Sequence, residues 1–223
     1  MADDARLSPA APRYAVRPAD TSDPAEVDRL YEICLRTGDS GEDATDRAVH
    51  PRLIGDLFLG PYLAFEPELA FVLVDETRTG PDAVVGYVLG VRDSAAFDAT
   101  VVRDWLPAVR ERYPLAQARD ASLPVGTVDA MFIEILHDHH GPDPAFLDLY
   151  PAHLHVDVLP QAQGGGNGRA LLETLFGVLR GLGVPGVHLG MAAGNVRAGG
   201  FYAHLGFMQL AADENVVHVG LRL

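Results

Sequence analysis

The chain has 223 residues, 48% of them apolar and 22% charged, a globular composition with enough apolar residues for a sizeable core. Its formal net charge of −14 disfavours nucleic acid and anionic membranes as partners and favours basic groups such as amines. A single cysteine, Cys34, excludes an internal disulfide and a thiolate cluster; all 17 basic residues are arginine, which excludes a P-loop, a lysine Schiff base and a Ser-Lys dyad.

Residues 1–13 are acidic at their start and lack the basic and apolar regions of a signal peptide, and no apolar run reaches the roughly 18 residues of a membrane span. The expectation is a disordered leader on a cytoplasmic protein. "YAVRPA" then alternates like a short strand. "DPAEVDRLYEICLRTG" reads as a helix capped by Asp23, with Pro24 at its first position, Glu26 placed for a capping box and Gly38 at its end. Val27, Leu30, Tyr31 and Cys34 fall on one face of it, which makes Cys34 a core residue. "LIGDLFLGPYLAF" reads as a second short helix interrupted at Gly60-Pro61, and "LAFVLVDE" and "AVVGYVLGVRD" as the strands of a hairpin. "SAAFDATVVRDWLPAVRERYP" is helical in part and ends at Pro114, whereas "VDAMFIEILHDHHGPDPAFLDLYP" is ambiguous between helix and strand. The remainder alternates: strand "HLHVDVLP", helix over 168–182, strand "VHLGMAA", helix "NVRAGGFYAHLG", then strands "FMQLA" and "VVHVGLRL". This order is a mixed α/β fold.

The stretch "LHVDVLPQAQGGGNGRALL" is the most informative one. A glycine-rich turn from strand to helix presents backbone N–H groups and the helix dipole to a phosphate. The dinucleotide fingerprint fails on glycine spacing and a Walker motif on the missing lysine. The pattern that remains is Gln163-x-x-Gly166-x-Gly168 followed by "RALL".

That pattern resembles the pyrophosphate turn of the GNAT acyl-CoA N-acyltransferases, and "GNVRAGGFYAHLGF", one strand later, is similar to the family's Asn-to-Tyr helix ending in Gly-Phe. The resemblance implies a GNAT fold: a mixed, twisted α/β sheet of about six to seven strands flanked by helices and splayed at the fourth strand. Residues 14–223 would form one domain with an insertion at about 94–150. The segments "LIGDLFLGPYL", "FVLVDE", "GYVLGVRD" and "WLPAVRERY" resemble, more narrowly, the acetyltransferase-like domain at the C-terminus of O-GlcNAcases and its free-standing bacterial relatives. No glycosidase activity follows from that likeness.

On this resemblance the cosubstrate is acetyl-CoA, with no metal, and the acceptor a primary amine of unknown identity; a homodimer is allowed. The residues implied for the coenzyme are Val158 and Leu159 at a strand bulge, Gln163, Gly164, Gly165, Gly166, Asn167, Gly168 and Arg169 in the turn, and Asn195 and Tyr202 on one face of the later helix. Tyr202 is the expected general acid, and Asp157 or His155 the base, His155 with a rate rising through neutral pH. His153, His155 and Asp157 share one face of their strand, which either lines the cleft or forms a structural network. The histidines of "HDHH", 137–140, read as solvated surface, Trp105 as core, and Glu134 as a lesser candidate base. The rival reading is a module that binds coenzyme or peptide without turnover.

Overall fold

A twisted seven-stranded sheet runs in the order β1-β2-β3-β4-β5-β7-β6, with every neighbouring pair antiparallel except β4 and β5. Its strands are β1 (Tyr14–Pro18), β2 (Ala70–Asp75), β3 (Val84–Val91), β4 (Ala152–Val158), β5 (Gly186–Ala192), β6 (Met208–Ala212) and β7 (Val216–Arg222). The computed structural model describes residues 13–223 apart from 121, 122 and 125. The expected leader therefore lies outside the described residues, save Arg13. That residue is already tied to the sheet, since its carbonyl accepts the Glu76 N–H at 2.8 Å.

Helix α1 (Pro24–Leu35) starts as expected, the Asp23 carboxylate accepting the Ala25 N–H, and buries Leu30, Ile33 and Cys34. Glu26 differs from expectation. Its carboxylate takes a bidentate contact from Arg17, at 2.9 and 2.6 Å, and the Asp20 N–H, so it ties β1 to α1 instead of closing a capping box. The interrupted segment forms two helices, α2 (Leu53–Phe58) and α3 (Gly60–Phe65). The insertion is helical: α4 (Ser94–Thr100), a π-helical turn over Val101–Trp105, α5 (Leu106–Arg112), α6 (Leu115–Ala118), α7 (Asp129–His137) and α8 (Pro144–Leu147). The segment left ambiguous by pattern is thus α7 and α8. Helices α9 (Asn167–Gly181) and α10 (Val196–His204) complete the chain. Among the described residues no helix is long and apolar enough to cross a membrane.

Two apolar layers sandwich the sheet. On one face Leu30, Ile33, Tyr87, Leu89, Phe132 and Ile133 join α1, α2 and the insertion to β3; on the other, Leu171, Leu172, Leu175 and Phe176 of α9 lie on Leu73, Val88 and Leu154. Strand β3 is buried along its whole length, which accounts for its near-continuous apolar run.

The two halves of the sheet meet only briefly. Strand β4 pairs with β3 without a break from Val91↔His153 to Gly86↔Val158, but with β5 only at Ala152↔Val187 and His153↔His188. Beyond His153 the strands part. The splay expected at the fourth strand is present, though β4 carries no bulge; it arises because β5 leaves.

Candidate active site

A cleft of about 720 Å³ opens where β4 and β5 separate. Because the Leu159 N–H donates to the Val85 carbonyl at 2.9 Å, strand alternation turns the backbone groups of His155 and Asp157 toward β3. The N–H and C=O of Val156 and the N–H of Val158 then face the gap, while the Val158 carbonyl accepts from Gln163 Nε2 at 2.7 Å. Leu159 is a correction: it is fully buried, its N–H is already bonded, and it does not line the cleft.

The glycine turn closes one mouth of the cleft. Gly164, Gly165 and Gly166 have φ of +81°, +57° and +85°, values that an L side chain strains to adopt. No side chain caps α9; the Asn167 N–H turns back to the Gly164 carbonyl at 3.2 Å, which leaves the amides of Gly168 and Arg169 open at the positive end of a 15-residue helix. Gly165 shapes the turn without lining the cleft, whereas Gly164, Gly166, Asn167, Gly168 and Arg169 line it. Asn167 Nδ2 braces the turn against the Ala162 carbonyl at 2.9 Å. A Cβ on Gly168 would lie 3.1 Å from the Phe201 ring, so this glycine also permits α9 to pack on α10. Arg197 lines the same mouth and donates to Gln163 Oε1. Asn195 caps α10 through its Oδ1, which accepts the Ala198 N–H at 3.0 Å, and its Nδ2 donates to the Ser40 carbonyl at 2.9 Å. Both ends of its amide hold protein backbone, a role that the sequence does not announce.

Strand β4 presents its polar face to the cleft floor. Tyr87 Oη donates to Asp157 Oδ2 at 2.5 Å, and His155 Nε2 donates to the same oxygen at 3.1 Å. Cys34, buried as expected, stands within hydrogen-bonding reach of His155 and Tyr87. Cys34 Sγ, a His155 ring nitrogen and an Asp157 carboxylate oxygen lie within 4.8 Å of one another, a spacing that these hydrogen bonds explain. Burial alone would lower the His155 pKa, but the Asp157 carboxylate beside it outweighs burial and pushes it up to about 10. The Asp157 contact therefore favours the cationic imidazole and moves its titration above the neutral range in which the sequence placed it. Burial pushes the Cys34 thiol up, so it stays protonated. Tyr202, 8% exposed, lines the cleft from α10; burial and the charge on Asp157 raise its pKa, keeping the hydroxyl protonated.

His153 belongs to a different environment. Its Nδ1 is 2.7 Å from Ser94 Oγ, and its ring packs among Tyr62, Phe97 and His188. Burial first, then His188 and His155, lower its pKa to about 3, so it is neutral. Of the other candidates, Glu134 is exposed on α7 and away from the cleft, and Trp105 is a packing residue whose Nε1 donates to the Asp56 carbonyl at 2.8 Å. The histidines of "HDHH" diverge: His137 bonds the Tyr113 carbonyl, His139 bonds Asp98, and His140 is exposed. Pattern reasoning missed Tyr87, Phe58 and Phe132. Tyr87 was visible only as a polar tip within an apolar run whose register sets it opposite Asp157.

Residues 41–207 match the model of the acetyltransferase (GNAT) family. A solved structure described as SsHAT is 38% identical, with a TM-score of 0.78 over 95% of this chain and 98% of that one. More distant in sequence, yncA from Salmonella typhimurium, solved with its cofactor acetyl-CoA, is 16% identical with a TM-score of 0.50 over 94% of each chain. The polyamine N-acetyltransferase of Drosophila melanogaster, which forms N-acetylagmatine, is 18% identical with a TM-score of 0.53 over 95% of this chain and all of that one.

Proposed function

The chain belongs to the GNAT acetyltransferase family and is an acetyl-CoA-dependent acetyltransferase, and from that premise we propose that its acceptor is a primary amine held by Asp157 at the open end of the β4–β5 cleft. The coenzyme pyrophosphate sits on the open amides of Gly166, Gly168 and Arg169 at the α9 N-terminus. The pantetheine arm runs along the backbone groups of Val156 and Val158 that β5 leaves unpaired. The Val158 N–H, in that position, faces the thioester oxygen and stabilises the charge that develops on it.

One observation carries the assignment of the amine: two donors, Tyr87 and His155, converge on Asp157 Oδ2 and fix the carboxylate where the sheet opens. Oδ1 is then available to an ammonium group, and Asp157 receives its proton directly or through a water as nitrogen attacks the carbonyl carbon. His155, cationic, positions this carboxylate instead of acting as the base. Tyr202, kept protonated across the neutral range, supplies a proton to the departing coenzyme thiolate. That a Drosophila enzyme of this fold acetylates an amine agrees with this chemistry.

The test is thioester consumption over a panel of amines, set beside coenzyme binding measured without acceptor. Tyr202→Phe should lower kcat by about 100-fold and leave acetyl-CoA affinity unchanged. A loss smaller than about threefold would remove the hydroxyl from the acid role. Coenzyme binding with no turnover of any amine would make the chain a binding module.

A further inference from the structure

The two mouths of the cleft differ in chemistry. The one at the glycine turn carries Asn167, Arg169 and Arg197, groups suited to phosphates. The other lies on the opposite face of the sheet, where α1, α2 and α7 pack; its inner walls are Cys34, Ile54, Phe58 and Phe132, and Thr37, Ser40 and Glu42, which follow α1, also line the cleft. Ile54 is 2% exposed and Phe132 6%, so these walls lie in the interior. The Phe58 ring packs edge-on against Phe132, with centroids 5.8 Å apart, and stacks parallel to His155 at 6.0 Å. The walls thus lead straight to the Asp157–His155 pair. The cleft's basic side chains other than His155 are Arg169, Arg197 and His204, beside the glycine turn or on α10.

With the coenzyme occupying the glycine-turn mouth, the acceptor enters between these apolar walls. Resting on the amine reading above, we infer that the acceptor carries its primary amine at the end of an unbranched apolar stem, with neither a carboxylate nor a second cation beside the amine. The apolar walls exclude the alternatives. Beside the amine, a second ammonium or a ring of hydroxyls would lose its water against Ile54, Phe58 and Phe132, none of which offers a hydrogen bond in exchange. The carboxylate of a free α-amino acid would meet Asp157, with no arginine in the wall to receive it. A methylene stem, by contrast, gains from each carbon that it buries.

The shared chemistry has two sources, a free alkylamine or a lysine side chain in a peptide, and one experiment treats both. Steady-state acetylation of methylamine through pentylamine by the wild-type protein should show kcat/KM rising about fourfold per methylene. Phe58→Ala, shown to be folded by its melting curve, should flatten that series. Nα-acetyl-lysine amide equal to pentylamine assigns the stem to a peptide, and its rejection beside a steep alkyl series assigns it to a free amine; either supports the inference. A flat alkylamine series in the wild-type protein overturns it, as does higher kcat/KM for spermidine, an aminoglycoside or a free amino acid. If no amine of any class is acetylated while acetyl-CoA still binds, the amine reading fails as well, an outcome distinct from a flat series.

Discussion

His153 and Asp157 stand on the same face of the same strand, four residues apart, and do opposite things. At His153, β5 is still hydrogen-bonded alongside, and the ring is enclosed by Ser94, Tyr62, Phe97 and His188. At Asp157, β5 has gone, and the side chain lines a cleft. A polar residue on a central strand is a structural element where the sheet is closed and, in the proposed mechanism, a reagent where it opens. The alternation of the side chains is the same in both places; the neighbour is what differs.

The sharpest way to break this comparison is to make the same substitution at both ends. Asp157→Asn removes both the charged partner of the amine and the group that takes its proton, so kcat/KM for the acceptor should fall about 100-fold or more, with kcat falling as well as KM rising. His153→Asn should leave both parameters within about twofold, since it touches no ligand. Equal losses in steady-state kinetics would mean that the closed and open ends are one functional unit.

A smaller effect is expected at the turn. Gly166→Ala forces a Cβ into a φ of +85°, where it meets no atom within 4 Å, so only backbone strain opposes it. The free turn of this variant relaxes away from the strained φ and binding must restore it, so calorimetric titration should give a Kd for acetyl-CoA weaker by about tenfold, corresponding to roughly 1–2 kcal/mol, with kcat at saturation nearly unchanged. Gly168→Ala is the less clean probe, because its Cβ would press on Phe201 and couple affinity to packing.

The smallest effect separates the two ends by pH. His155 has its pKa raised from 6.5 to about 10, so the stability it contributes is complete below 6.5 and is lost as pH rises through 10. His153 has its pKa lowered from 6.5 to about 3, so its neutral form stabilises the fold above 6.5, and that contribution is lost as pH falls toward 3. Urea unfolding across pH should show an alkaline limb that His155→Gln removes and an acid limb that His153→Asn reduces. Each limb has a slope of at most about 1.4 kcal/mol per pH unit. His188, its pKa lowered first of all by burial, keeps part of the acid limb in the second variant.

Backbone demands were the readable part of this sequence. Gly164, Gly165 and Gly166 are where a bending chain admits no side chain, so strand, turn and helix could be placed from residue types alone. The α9 stripe, Leu171, Leu172, Leu175 and Leu179, is similarly explicit. The insertion was harder because its helices do not have clean faces: α7 exposes Met131 and Ile135, and a π-helical turn shifts the period before α5. The carboxylate at Asp157 was legible from its alternation with His155, but its state was not. Tyr87 and Cys34 come from β3 and α1, and only strand register and helix packing bring them to it.

The parting of β4 from β5 also bears on the lifetime of the protein. A sheet with an internal gap is a sheet lacking one strand, and in the proposed binding mode the coenzyme arm pairs with Val156 and Val158 in that strand's place. The reagent is then part of the architecture, and its concentration acts on the folding equilibrium: at a hundredfold excess over Kd it adds about 2.7 kcal/mol. On the proposed binding mode, scarcity of acetyl-CoA should lower the stability of the fold as well as the rate of acetylation.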